Sequence, residues 1–182
     1  MEHLLEDLKY LHSQLAARDC ASTTLIKSMA LLGKPFEESC AAAMMTLGGL
    51  HAPITQTQRL WKFGKNPWLG YLADFESDVL PHGPFRSKIP GWGSAWYKAE
   101  PDPLLQSFES LLPAEVVDRL AQRTTDVQLA TGKVIFPNAA SYTAIVADIL
   151  GFTPETAPVL VVMGRALAWA HIYEVALGLR SE

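Results

Sequence analysis

The chain is poor in almost every signature that declares a chemistry at sight. It has no run of lysine or arginine: 15 basic residues lie scattered among 19 acidic ones, for a formal charge of −4. That leaves no electrostatic footprint for a phosphate backbone, so nucleic acid is not an expected partner. Cysteine occurs twice, at Cys20 and Cys40, without metal-ligand spacing. Both read as reduced, buried, small apolar residues of a cytoplasmic chain. No histidine and carboxylate cluster is spaced to hold a metal, no glycine loop to cradle a phosphate, and no serine stands in a nucleophile elbow. Strand signals are nearly missing, with only KVIF at 133–136 hinting at one.

Targeting signals are missing as well. MEHLLEDLKY carries charges through the stretch that a secretory signal keeps apolar. The longest apolar segment, APVLVVMGRALAWAHIYEVALGL at 157–179, is nearly long enough to cross a bilayer, but Arg165, His171 and Glu174 interrupt it. It reads as a fully buried core helix, and no membrane partner is expected. With 49% hydrophobic and 19% charged residues among 182, the chain can build a sizeable core as one domain, or one domain with a smaller lobe.

What is present is helical periodicity. Leu4, Leu8, Leu11 and Leu15 predict an amphipathic helix over 3–17. Ser22 or Thr23 can cap a second helix that runs to Gly33, with Pro35 beyond it. FEESCAAAMMTL at 36–47 is a third, its small side chains suited to close approach by another helix in the core or across a subunit boundary, and Gly48 and Gly49 stop it. Pro53 opens a fourth that runs to about Phe63, and NPWLGYLADFESDVL (66–80) is a fifth. Further helices are predicted over 104–112, 114–130 and 141–150, and Thr153 with Pro154 starts the last. The fold class is all-α. Between 81 and 103 the periodicity dissolves into PHGPFRSKIPGWGSAWYKAEPDP, whose length and aromatic content mark a functional loop.

Two residues carry candidate chemistry on their own spacing. His51, in GGLHAP, stands at the mouth of a helix, where the positive helix end favours a neutral imidazole able to donate to a developing enolate oxygen. Its structural alternative is a solvated cap. Arg165 sits in the most apolar helix, so its guanidinium must either clamp a ligand carboxylate or pair with one of the chain's own acids. His171 and Glu174 are one turn apart and read as a structural hydrogen bond; His82 reads as a solvated turn residue, and His3 and His12 suggest nothing.

Four stretches taken together resemble the citrate synthase superfamily, which includes citrate and methylcitrate synthases and citryl-CoA lyases. They are AAAMMTLGGLHAP (41–53), IPGWGSAWYKAEPDP (89–103), FPNAASYTAIVADILGF (136–152) and MGRALAWAHIYE (163–174), in family order over roughly residues 22–180. The resemblance implies an all-α citrate synthase-like fold truncated at its N-terminus. Residues 1–52 and 153–182 would be the remnant of the large dimerisation domain, and 53–152 the small domain.

Carried over position by position, the resemblance implies a degenerate catalytic set. The family histidine that polarises the acetyl-CoA carbonyl matches His51, but the second histidine is Ser94 and the proton-abstracting aspartate is Ala140. Two family arginines are replaced, by Ala95 and Leu104, whereas the arginine that grips a substrate carboxylate matches Arg165. The loop that receives coenzyme A keeps its form in Ile89, Pro90, Gly91, Trp92 and Gly93, with Lys98 beyond it. Trp92 and Trp96 are expected to fill volume that substrate and the lost side chains would otherwise occupy.

The expected ligands are therefore a small carboxylate or a coenzyme A thioester, bound as substrate, with no tightly bound cofactor and no metal. Altered chemistry at a carbon–carbon bond is expected, not citrate synthesis. The alternatives are a non-catalytic acyl-CoA or carboxylate binder and a regulatory partner of a full-length homologue. The expected assembly is a homodimer, or a heteromer with a homologous chain.

Overall fold

The computed structural model describes residues 2–18, 20–47, 53–62, 89–94 and 96–181. His51, His82, Ala95, the Gly48-Gly49 pair and the helix expected at 66–80 lie outside them. Among the described residues the regular structure is helical, with no strand. The helices are α1 (Glu2–Ala16), α2 (Ala21–Leu31), α3 (Phe36–Met45), α4 (Ile54–Lys62), α5 (Pro103–Glu109), α6 (Ala114–Thr131), α7 (Ala139–Ile149) and α8 (Val159–Ala176). The KVIF hint leaves only an isolated bridge nearby, between Trp92 and Pro137.

Helix starts follow local chemistry more finely than periodicity shows. α2 begins with Cys20 as its extended N-cap residue, ahead of the Ser22 or Thr23 expected there. Thr23 is buried in the first turn and donates to the carbonyl of Ala16 at 2.7 Å, because the end of α1 needs a donor more than α2 needs a cap. α7 starts at Ala139 because the Asn138 side chain accepts from the Ala140 amide at 2.9 Å. α5 starts at Pro103, capped in the same way by Asp102.

The expected start of the last helix at Thr153 is not observed. Residues 154–158 form turns in which the Thr153 carbonyl accepts from Ala157 at 2.9 Å, and α8 begins after Pro158. Proline has no N–H to extend a helix from the preceding turn, but it suits a helix entrance.

α8 is also not fully buried. Leu160, Val161, Gly164, Arg165 and Trp169 face inward, whereas Leu167 is 84% exposed and Val159 and Met163 are also exposed. Its inward face packs on α1, α2 and α3. The crossing with α1 is close: a β-carbon on Gly164 would lie 2.5 Å from His12 Cβ and 3.2 Å from Lys9 Cα. Glycine is what lets the two backbones meet there.

One hydrophobic cluster joins Leu8, Leu11 and Leu15 of α1 to Ile54, Leu60 and Trp61 of α4, Leu120 and Val127 of α6, and Ile145 and Val146 of α7. A smaller one gathers Ile26, Ala43 and Trp169 where α2, α3 and α8 meet. Arg119 of α6 places its guanidinium 4.2 Å from the centroid of the Trp61 ring and donates to the Trp61 carbonyl. The cysteines depart from the expected burial. Both are half-exposed and outside any disulfide, Cys40 on α3 and Cys20 at the α1–α2 junction.

The glycine-rich loop at 89–94 is bolted to the N-terminus of α7. The Gly91 carbonyl accepts from the Asn138 amide at 2.7 Å and from Ser141 Oγ at 2.6 Å. The Asn138 side-chain amide donates to the Gly93 carbonyl at 2.8 Å, and the Gly93 amide donates to Phe136 at 2.8 Å. Gly91 has φ +91° and no room for a side chain, since a β-carbon would come within 2.5 Å of Thr57 Cγ2 and 2.6 Å of Ser141 Oγ. Gly93 also has positive φ, +87°, but opens onto free space. Left-handed strain and overpacking each cost about 1–3 kcal/mol. Gly91→Ala should therefore lose about 2–6 kcal/mol, and Gly93→Ala no more than the strain share. Urea denaturation of the two variants checks the order.

Candidate functional site

A cleft of about 250 Å³ opens where the α1–α2 junction, α8, the glycine loop and the N-terminus of α7 converge. Of the positions that the resemblance singled out, Gly93, Ser94, Trp96, Ala140 and Arg165 lie on its wall. They come from segments distant in sequence. The docking of Gly91 and Asn138 delivers Ser94 beside the first turn of α7, and the Gly164 crossing delivers Arg165 beneath the α1–α2 junction.

Arg165 is 5% exposed and has no carboxylate within ion-pair distance among the described residues. Its Nη1 donates to Ser22 Oγ at 2.9 Å and lies 3.5 Å from Cys20 Sγ, while its Nε has no hydrogen-bond partner there. Burial pulls the guanidinium below its ordinary pKa, and Cys20 partly offsets this. The structural ion pair that the sequence left open for Arg165 is not found among the described residues. A buried cation so arranged is a ready partner for an anion.

The second cleft cation, Arg18, is already neutralised. It grips Asp102 through both terminal nitrogens, one of them at 3.0 Å, and this pairing raises the Arg18 pKa. Asp102 at the same time caps α5 through the Leu104 amide at 3.0 Å. Position 104, where the family resemblance asks for an arginine, thus supplies a helix amide to the carboxylate that Arg18 holds.

Ser94 is less available than its place on the wall suggests. Its Oγ accepts from the amides of Trp96 at 3.1 Å and Tyr97 at 3.2 Å, which closes a local turn. Both lone pairs are engaged, so the hydroxyl can offer a ligand only its proton. Ala140 is buried and offers nothing that could take up a proton. The remaining loop positions face other ways. Ile89, Pro90, Gly91 and Trp92 are buried in the core, with Trp92 Nε1 donating to Thr124 Oγ1 at 3.2 Å, and Lys98 is exposed away from the cleft wall. Gly93 and Trp96 do line the cleft, and Trp96 stands 55% exposed at its rim. His51 lies outside the described residues. Glu174 pairs with Arg180 at 3.2 Å, not with His171.

The residue missed in the sequence is His12. It is 1% exposed, lines the cleft, and places Nε2 2.8 Å from Thr143 Oγ1. Thr143 commits its own proton to the Ala139 carbonyl at 2.8 Å, so Nε2 must donate and Nδ1 is left as a buried acceptor without a partner. Burial, reinforced by the Arg165 charge, lowers the His12 pKa to about 3, so the ring is neutral at physiological pH. The available signal was its position on the leucine face of α1, one turn from Leu8 and Leu15.

The sign of the pH effect follows. Below the unfolded value near 6.5, the unfolded chain binds a proton at His12 that the folded chain refuses until pH about 3. Stability should therefore be lost as pH falls from 6.5 towards 3, by roughly 2 kcal/mol between pH 6.5 and 5 from this group. Urea midpoints across that range, for wild type and for His12→Gln, should show the slope diminished in the variant.

Comparison with known proteins bears on the family and the fold. The citrate synthase C-terminal domain family matches residues 20–179. The solved structure of citryl-CoA lyase from Hydrogenobacter thermophilus superposes with a TM-score of 0.68 at 20% identity, over 99% of this chain and 73% of that one. No sequence among curated proteins gives a significant match. By the near-complete family match, and in keeping with its helical fold, the chain belongs to the citrate synthase family.

Proposed function

We propose that the cleft binds a small carboxylate or an acyl-coenzyme A ester through Arg165, and that the chain acts on it in carbon–carbon bond formation, cleavage or rearrangement without a proton-abstracting aspartate. The observation that carries this reading is the buried Arg165 guanidinium on the cleft wall with no carboxylate of its own among the described residues. A ligand carboxylate would supply the missing charge. Ser94 can donate to a ligand carbonyl.

The altered chemistry rests on what the wall lacks. With Ala140 in the aspartate position, and Asp102 held by Arg18, no free carboxylate stands among the described cleft residues. His12, neutral down to about pH 3, is too weak a base to deprotonate a thioester methyl. A retro-aldol cleavage, decarboxylation or cyclisation needs less from a base, with His51 as the proposed oxyanion donor. The same deficit supports the second reading, a binder or a regulatory partner of a full-length homologue. Exposed apolar side chains such as Leu31 and Met45, which end α2 and α3, and Leu32 just beyond α2 support assembly with a second copy or a homologous chain.

Calorimetric titration with citrate, oxaloacetate and acetyl-coenzyme A should give saturable binding of at least one. Arg165→Met should weaken it by about 2–5 kcal/mol, roughly 30-fold or more, while circular dichroism stays helical. Absence of binding by all three would remove this reading in favour of the regulatory one. In deuterated water, the methyl hydrogens of acetyl-coenzyme A should not exchange in the presence of the protein. Exchange detected by NMR would show that a base replaces the lost aspartate.

A further inference from the structure

We propose that Cys20 is a nucleophilic thiol on the wall of the cleft, a second chemical site that takes soft electrophiles and draws its reactivity from Arg165. Three features converge on its sulfur or beside it. Cys20 is the N-cap residue of α2, where the positive helix end favours negative charge, though its sulfur takes no hydrogen bond from a helix amide. The Arg165 guanidinium places Nη1 3.5 Å from Sγ. Ser22 Oγ lies 3.3 Å from Sγ, and because it accepts from Arg165 its proton is available to the sulfur. Thr23 Oγ1, also at 3.3 Å, commits its proton to Ala16 and can serve only the protonated thiol.

The surroundings hold this arrangement in place and leave it open to reagents. Cys20 is half-exposed and lines the cleft, whereas Arg165 is nine-tenths buried, carries an unpartnered Nε and cannot swing into bulk water. Among the described residues, the other charged or titratable groups on this wall are Arg18 and Asp102, which neutralise each other, and His12, which is uncharged. Asp19, the chain neighbour, lies outside the described residues. Cys40 provides a contrast within the same molecule, since burial and then Glu37 push its thiol up.

The chemistry is thiolate attack: Cys20 gives its proton to water, which leaves the thiolate beside Arg165. The sulfur lone pair forms a bond to an electrophilic carbon, the bond from that carbon to its leaving group breaks, and the leaving group departs with the electron pair. The adduct remains beside Arg165, so modification at Cys20 places a substituent across the anion site. This proposal does not depend on the identity of the natural ligand.

Iodoacetamide is the probe, with iodide as leaving group and each cysteine followed by peptide mass spectrometry across pH. In the native wild-type chain, Cys20 should reach half-maximal alkylation rate about one pH unit or more below Cys40. Arg165→Met should slow Cys20 alkylation at pH 7 about tenfold and leave Cys40 unchanged. Coincident profiles for the two cysteines in wild type overturn the proposal, and so does a folded Arg165→Met variant with unaltered Cys20 kinetics. If that variant does not fold, the wild-type comparison decides alone.

Discussion

Holding a guanidinium out of water, with no carboxylate beside it among the described residues, is the constraint around which this molecule is arranged. An unpaired buried cation is costly, and the protein lowers that cost with a hydroxyl and a thiol, both weaker partners than an acid. Arg165 can occupy its place only because Gly164, the residue before it, lets α8 press against α1 at His12. The same crossing brings the α1–α2 junction, with Cys20 and Ser22, over the guanidinium. Packing and electrostatics are thus set by one pair of adjacent residues.

The opposite wall is governed by backbone geometry. Gly91 is held by two hydrogen bonds from the start of α7 and fits where no side chain could. Its role is close packing within the protein, and the positions of this loop that line the cleft are Gly93, Ser94 and Trp96. Ser94 has taken up a local duty, closing a turn with two amides, which leaves it one proton to offer. A cleft built this way keeps a positive pole on one side and a neutral, mostly saturated surface on the other. That polarity suits gripping an anion more than moving a proton.

His12 illustrates how tertiary context changes a side chain's chemistry. On an isolated helix it would titrate near its ordinary value and carry charge in mildly acidic water. Packed between α7 and α8, with Arg165 nearby, it is confined to one tautomer and to the neutral state. It contributes a directed lone pair, and the fold accepts a weakened tolerance of acid in return.

Much of the fold was legible in one dimension. The leucine spacing of α1, the proline and glycine punctuation and the near-absence of β-branched alternation fixed an all-α chain, because a helix needs only local periodicity to be recognised. Four short motifs in order pointed to the citrate synthase family, since their residue types and sequence order are written in the chain itself. Helix starts at Cys20, Asn138 and Pro158 lie two to five residues from where the sequence puts them, as caps depend on which orphan amide or carbonyl is nearest in space. The candidate site divides in the same way. Ser94, Ala140 and Arg165 were nameable from motif position, but that Arg165 faces Ser22 and Cys20 is a long-range fact. So is the burial of His12, whose leucine-rich face told of packing but not of what lay opposite. Sequence determines which groups the chain possesses and which segments coil; only the crossing of α1 and α8 decides which of those groups lose water together, and hence which become chemically distinct.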